Sequence, residues 1–306
     1  MRFNEQVIDI VIPVYNDTHC LENNLHKIVK EGLPKGWRMK LYIVDDGSEK
    51  PVVLPNLDLE MTLVRLTENN GRSSACNAGV EAGTGGLVYI IDVDCVLEKG
   101  NVIDSHIRTI KTDGADISCG PIYSSGNNFW SHYQNNVVKR RNIAFDNGDK
   151  ASHTTANLML KRKVYEAVGG FNEAYSQYGF EDKDLLLRLL QKGYNIKSNE
   201  ATAVEHKPDL SLNAISKKME MAGRYGSMLF KSRHAEYYAN GRFGSFDLAG
   251  LWVSCVAPLI LKPSLKIIVI GFDFLEKRKL MPYFLGSRVV KLVSGLGYAL
   301  GTCQAK

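Results

Sequence analysis

Up to about residue 206 the hydrophobic positions follow two alternating rhythms. "VIDIVIPVY" (7–15), "KLYIVDDGS" (40–48), "MTLVRL" (61–66) and "GLVYIIDVD" (86–94) contain short apolar runs rich in β-branched residues. Such runs suit strands buried on both faces. Between them the spacing turns helical. Leu21, Leu25, Ile28 and Val29 share one face, Asp17 or Thr18 can cap it, and Gly32 and Pro34 end it. "SSACNAGVEAG" (73–83) predicts a small-residue helix able to pack closely on a sheet, and 99–112 a further helix. Strands alternating with helices predict βαβ units and a mostly parallel sheet. Ligands of such sheets bind beyond the carboxyl ends of the strands, where "VDDGS" and "DVD" both lie.

From 113 to 160 the pattern is irregular, and "SSGNNFWSHYQNN" predicts a loop or acceptor-facing segment. Residues 161–173 predict a helix closed by Gly169 and Gly170. Residues 181–196 predict a second, with Leu185, Leu186, Leu189 and Leu190 on one face and Gly193 at its end. "ATAVEH" (201–206) is a short strand ending in His206. Beyond 207 come two apolar stretches, 248–261 and 265–275, each shorter than the ~20 residues that span a bilayer. Pro258, Pro263 and Asp273 interrupt them and lysines flank them. They predict interfacial amphipathic helices, or a helical hairpin packed on the domain. The organisation is thus an α/β domain over 1–210, with halves 1–112 and 113–210, and a helical extension over 211–306.

Charge sharpens that division. The net charge is +5, but residues 207–306 hold 15 Lys+Arg against 6 Asp+Glu, a net +9, which leaves −4 for residues 1–206. A nucleic-acid binder would spread its basic residues over the folded domain, so that class is excluded. An acidic body with a basic, apolar tail fits an enzyme whose extension meets an anionic membrane, or a basic arm that docks on a second subunit. With 44% hydrophobic and 23% charged residues, an ordinary globular core is expected. Six cysteines stand apart with no C-x-x-C pair, which predicts free thiols in a reducing compartment rather than disulfides or zinc. Residues 1–10 lack the apolar core of a secretory signal, so a cytoplasmic chain is expected.

The candidate chemistry is carboxylate chemistry. Asp92 and Asp94 end an apolar run, and carboxylates are costly to bury unpartnered. A solvent-filled crevice explains them, and a divalent cation, which prefers hard oxygen ligands, explains them better. Glu181 and Asp182 open an amphipathic helix, either as capping acids or as reactive groups facing a cleft. The turn "PVYND" lacks the G-x-G-x-x-G of a dinucleotide-binding dehydrogenase.

In order, "VIPVYN", "VDDGS", "NNGRSSACNAG", "DVD" and "GFED" resemble family 2 glycosyltransferases of the GT-A fold, over residues 7 to about 206. The resemblance implies a Rossmann-like, mostly parallel sheet. It places Pro13 and Tyr15 beside the nucleotide base, with Asp46 accepting the uracil N3–H and Asp45 securing the turn. Asn70, Gly71, Asn77 and Gly79 match the helix under the nucleotide, whereas Cys76 stands where the family carries an arginine. Arg72, from the preceding turn, is the candidate to replace it. Asp94 would bind Mn2+ or Mg2+, His206 would complete that coordination, and Asp92 would serve the ribose or a metal-bound water. Asp182 would be the general base, Glu181 would hold the acceptor or sugar, and Asp184 is expected to be a solvent-facing or capping residue.

The implied activity is metal-dependent, inverting transfer from a UDP-sugar, with "GFED" tilting the donor toward galactose or an N-acetylhexosamine. The acceptor would be a glycan or lipid-linked glycan for a surface polysaccharide, at the inner face of the membrane. Direct transfer to a polyprenyl phosphate and a non-catalytic membrane scaffold are the alternatives. A processive, polymer-secreting synthase is not expected, because long membrane-spanning segments are missing.

Overall fold

The first apolar run becomes an interior strand of a seven-stranded sheet in the computed structural model, which describes residues 4–206 and 210–305. The strands are β1 (Asn4–Val14), β2 (Arg38–Asp45), β3 (Met61–Arg65), β4 (Gly85–Ile91), β5 (Cys95–Val96), β6 (Ile117–Cys119), β7 (Ile122–Tyr123), β8 (Asn157–Lys161), β9 (Ile196–Ser198) and β10 (Val204–His206). The large sheet has the order β3-β2-β1-β4-β8-β6-β9, parallel except for β8, which runs antiparallel to β4 and β6. A small sheet, β5-β10-β7, completes the strands. The helices of this part of the chain are α1 (Thr18–Ile28), α2 (Arg72–Glu81), α3 (Val102–Lys111), α4 (Phe129–Asp146), α5 (Arg162–Ala167) and α6 (Glu181–Gln191). Asp17 caps α1 by accepting the Cys20 amide at 3.1 Å.

The chain divides into two compact units. One comprises Met1–Gly126, Gln134–Ser176 and Leu185–Pro208, the other Asn127–Tyr133, Gln177–Asp184 and Asp209–Lys306. In the first, Ile8, Ile10 and Ile12 of β1 share a core with Leu21, Leu25 and Ile28 of α1, Leu41 and Ile43 of β2, and Ile103 and Ile107 of α3. On β1, Asp9 is fully buried and bonds Arg162 at 2.5 Å and the Gly85 amide at 2.6 Å. Arg162 also donates to the Gly85 and Val80 carbonyls at 2.7 Å each, tying α2, β4 and α5 around one buried ion pair in which both bonds to Asp9 fall on Oδ2.

Two expectations are corrected in this part of the chain. The stretch 124–136, read as a loop or acceptor-facing segment, enters the 18-residue α4 at Phe129, and the irregular 113–160 region also holds β6 and β7 before that helix and β8 after it. Its apolar residues form no continuous stripe, so hydrophobic periodicity could not announce a helix. Asp184 is fully buried, and its Oδ1 accepts from Arg233 Nε and His234 Nε2, both at 2.9 Å.

The second unit adds α7 (Leu212–Met221), α8 (Ser227–Arg233), α9 (Ala235–Asn240), α10 (Ala257–Lys277) and α11 (Tyr283–Thr302), with a π-helical turn at Ala222–Gly226 between α7 and α8. Leu212, Leu265, Phe272, Val290, Val293 and Leu300 form its core, joined by Phe129 and Trp130. The second apolar stretch and the last five residues of the first lie on one helix, α10, which passes through Pro263 without ending, while residues 248–256 precede it as turns and a short 3-10 segment. Pro263 lies on an exposed stretch of the helix, so the backbone carbonyl its ring leaves unpaired is open to solvent.

Candidate active site

In the first unit the site is assembled at the carboxyl ends of β1, β2 and β4. β1 outlasts its pairing with β4, whose last matched residue is Val11, while it stays paired with β2 through Val14. Pro13 lies in that one-sided stretch, where a missing N–H breaks no ladder toward β4. Tyr15 follows, nearly half exposed. At the end of β2, the Asp45 carboxylate accepts the Ser48 amide at 2.9 Å and the Val52 amide at 3.0 Å and pairs with Arg65. Burial works to raise its pKa, but these hydrogen bonds and the Arg65 charge carry it below the ordinary carboxylate value. Asp45 therefore secures the turn.

Asp46 is buried and accepts the Asn70 amide at 2.9 Å and the Gly71 amide at 3.0 Å, one on each oxygen. Burial pushes its pKa up, against the pull of those two amides. The glycines of both motifs are required by their backbones. A Cβ on Gly47 (φ +72) would stand 2.4 Å from the Glu68 carbonyl carbon, and one on Gly71 (φ +88) 2.4 Å from the Ser176 oxygen. Asn77 is structural, since its Oδ1 accepts from the Phe171 amide at 2.9 Å and the Tyr165 hydroxyl at 2.6 Å.

Cys76 is buried, and the guanidinium comes from four residues earlier on the same helix. Arg72 Nε bonds Asp92 Oδ1 at 2.8 Å, its Nη1 bonds Thr155 Oγ1 at 2.9 Å, and its guanidinium lies 5.3 Å from the centre of the Phe171 ring. One turn of helix moves the side chain's origin without changing its face. Asp92 is thus held from the side, while its own amide bonds the Ala156 carbonyl at 3.1 Å.

Asp94 and His206 are brought together across 112 residues. β10 runs antiparallel to β5 with His206 opposite Cys95, the residue after Asp94, and His206 Nε2 lies 2.9 Å from Asp94 Oδ2. His206 Nδ1 lies 3.0 Å from Gln134 Oε1, a contact that fixes the orientation of the ring. Beneath this corner, Asn157 accepts from the Tyr89 hydroxyl at 2.9 Å and His106 Nε2 at 3.0 Å and donates to the Thr202 carbonyl at 2.8 Å. Burial lowers the pKa of His106 to about 4, so the ring stays neutral and accepts from Ser118 through Nδ1 at 2.8 Å. This network locks the end of β4 to the segment that leads into β10.

The donor set suits a hard divalent cation shared with a ligand's phosphate. One carboxylate and one imidazole converge, both partly open to solvent. Among the described residues no group of three His, Cys, Asp or Glu forms a closed protein cage. Mg2+-type sites commonly take one or two protein ligands and complete their shell with substrate oxygens and water. Gln134 was not anticipated, because nothing in a polar helix announces which side chain faces a histidine 72 residues away.

In the second unit, Glu181 and Asp182 open α6, behind a constrained approach. Gly179 (φ 118) and Phe180 (φ 74) both have left-handed backbones, rare for a phenylalanine. Phe180 is held there by stacking on Phe230, ring centres 4.6 Å apart. Glu181 Oε2 accepts the Gly179 amide at 2.9 Å, so that carboxylate braces the turn, and Asp182 is half-buried beside it. Asp184, through Arg233 and His234, anchors the same first turn to α8 and α9.

Comparison with known proteins agrees with this architecture. Residues 9–169 match the model for glycosyl transferase family 2, and residues 145–207 match the one described as the N-terminal domain of galactosyltransferase. Glycosyltransferase AglE of Haloferax volcanii is 26% identical over 183 residues, 54% of this chain and 55% of that protein. Dolichol-phosphate mannosyltransferase of Pyrococcus furiosus is 28% identical over 139 residues, 43% of this chain and 38% of that one. The chain therefore spans about half the length of the first relative and less of the second. Mannosyltransferase PcManGT from Pyrobaculum calidifontis, in complex with GDP-Man and Mn2+, superposes with a TM-score of 0.59 at 15% identity, covering 98% of this chain and 87% of that one. S. aureus TarS 1–349 in complex with UDP gives 0.53 at 14% identity, covering 96% and 90%. At these identities the likeness is one of fold.

Proposed function

Because the chain belongs to glycosyl transferase family 2, with a GT-A fold, we propose that it is an inverting, metal-dependent transferase that uses a UDP-sugar. Galactose or an N-acetylhexosamine is the favoured sugar, supported by "GFED" and by the galactosyltransferase match over 145–207. The acceptor is a glycan or lipid-linked glycan of a surface polysaccharide, met at the inner face of the cell membrane. The observation that carries the reading is the Asp94–His206 pair at 2.9 Å, with Gln134 behind the imidazole.

Each residue then has a task. Tyr15 and Pro13 border the base, and Asp46, already holding the Asn70 and Gly71 amides, has acceptor capacity left for the uracil N3–H. Asp92, aimed by Arg72, meets the ribose or a metal-bound water, and Asp94 and His206 hold the cation. When bound, Mn2+ or Mg2+ supplies positive charge where the departing diphosphate becomes more negative. Asp182 removes the proton from the acceptor hydroxyl, and Glu181 braces the turn that presents it.

Two expected results arise here. Gln134→Leu should weaken Mn2+-dependent UDP binding about 10–100-fold, the usual worth of a partner that orients a ligating histidine. A titration of UDP at saturating Mn2+ reads it directly. Arg72→Met should weaken the same binding about tenfold, and Arg72→Lys should restore only part, since an ammonium cannot span Asp92 and Thr155 in the guanidinium's fixed geometry. Equal affinities for the three proteins would detach Arg72 from the donor site.

The overall reading is tested by incubating the protein with Mn2+, a panel of UDP-sugars and glycan or polyprenyl-diphosphate-glycan acceptors, and determining the anomer formed. A β-linked product from an α-linked donor is expected, and an α-linked product or free sugar alone would overturn it. A second reading, transfer to a bare polyprenyl phosphate, is supported by the match to a dolichol-phosphate mannosyltransferase. It predicts turnover on the monophosphate with no glycan present.

A further inference from the structure

Helix α10 is apolar on both sides. Leu265 and Phe272 point into the core of the second unit. On the opposite face Leu259 is 76% exposed, Ile260 65%, Ile267 70%, Ile270 60% and Phe274 53%. At 100° per residue these five fall within one outward stripe. The outward face of a helix packed on a water-soluble unit is normally its polar face. Trp252, 83% exposed, stands just before the helix. Lys262 and Lys266 run along one flank of the stripe, and Lys277, Arg278 and Lys279 close its C-terminal end, all exposed. From residue 248 onward the chain has 8 Lys+Arg against 2 Asp+Glu.

We propose that this face of α10 lies in the plane of an anionic lipid leaflet, its apolar stripe among the acyl chains and its lysines on the headgroups. The inference rests on the reading of the chain as a transferase with a membrane-borne acceptor, and names the partner surface. α10 is 21 residues long, about 32 Å at the usual rise, and no helix among the described residues is long and apolar enough to cross a membrane. An in-plane helix needs what this one has: a wide apolar face, basic residues along its border and an aromatic at the headgroup level. Charge selects the occupant. Two copies of the chain would bring like-charged basic borders together across the apolar stripe, whereas phosphatidylglycerol supplies the complementary sign.

The test uses the full chain and vesicles of phosphatidylcholine, alone or with about one third phosphatidylglycerol. Flotation with the anionic vesicles, weakened by salt, and a blue shift of the Trp252 fluorescence that is absent in Trp252→Phe are expected. The double variant Ile267→Glu, Ile270→Glu should lower vesicle partitioning about a hundredfold, because it removes two apolar contacts and adds two repelled charges. Both sites are exposed, so circular dichroism and metal-dependent UDP binding should not change. No flotation of the wild-type protein, or equal flotation of the double variant, would overturn the proposal. So would a dimer in sedimentation velocity that the double variant loses while vesicles capture neither protein, for the stripe would then be an interface between copies. Vesicle binding without UDP binding would uphold the docking face and count against the transferase reading alone.

Discussion

Asp94→Ala is expected to abolish the metal-dependent part of UDP binding, a loss of at least about a hundredfold. The estimate follows from what remains. Of the two residues proposed to hold the cation, the substitution leaves only His206, still oriented by Gln134. Outer partners of a metal site are already worth 10–100-fold, and a direct carboxylate ligand is worth more. A cation that shares its shell with a diphosphate also links the two affinities, so UDP reports the loss. Asp94 is partly exposed and its side chain faces the site, so the fold should be spared. Calorimetry of UDP with the variant, with and without Mn2+, is the measurement, and an unchanged Mn2+-dependent affinity would remove Asp94 from the metal site.

Asp182→Asn is expected to lower transfer by about two to four orders of magnitude while leaving donor binding intact. Asparagine keeps the shape and can still stand in the first turn of α6, but it cannot take a proton at neutral pH. The competing account, in which Asp182 is only a capping acid, predicts a different pattern. An acid in the first turn contributes about 0.3–1 kcal/mol to helix stability, so its loss would lower the melting temperature slightly and leave turnover alone. The neighbouring acids sharpen the contrast, since Glu181 bonds the Gly179 amide and Asp184 is buried on Arg233 and His234. Single-turnover rates beside UDP-sugar affinities separate the accounts, and normal turnover by the variant would end the assignment of Asp182 as base.

Much of the α/β framework is legible in the residue pattern, for physical reasons. β1, β2 and β4 are sheet-core runs in which few alternatives satisfy the backbone, and the turns after β2 and β3 need glycine at positions where a Cβ would strike Glu68 or Ser176. The second sheet was less visible, because strands of two or three residues carry too few side chains for a period. Helix α4 was hidden because Phe129 and Trp130 join the core of one unit while its later residues belong to the other. At the site, the acids stand out as carboxylates at strand ends, but their partners do not. Arg72 reaches Asp92 across 20 residues, Gln134 reaches His206 across 72, and Arg233 and His234 reach Asp184 across 49 and 50. Asp184 looked like a surface acid because one helical turn carries three carboxylates, and only its distant partners distinguish it from the other two. Pro263 misled in the opposite direction, since a proline on an exposed stretch of a helix breaks one hydrogen bond that water replaces.

The central claim is that Asp94 and His206 hold a divalent cation together with the diphosphate of a UDP-sugar. The most direct measurement is a calorimetric titration of the wild-type protein with UDP and a panel of UDP-sugars, first with a chelator and then with Mn2+. Binding that appears only with Mn2+ and is strongest for one UDP-sugar is the predicted result. Equal UDP affinity with chelator and with Mn2+ would contradict the account.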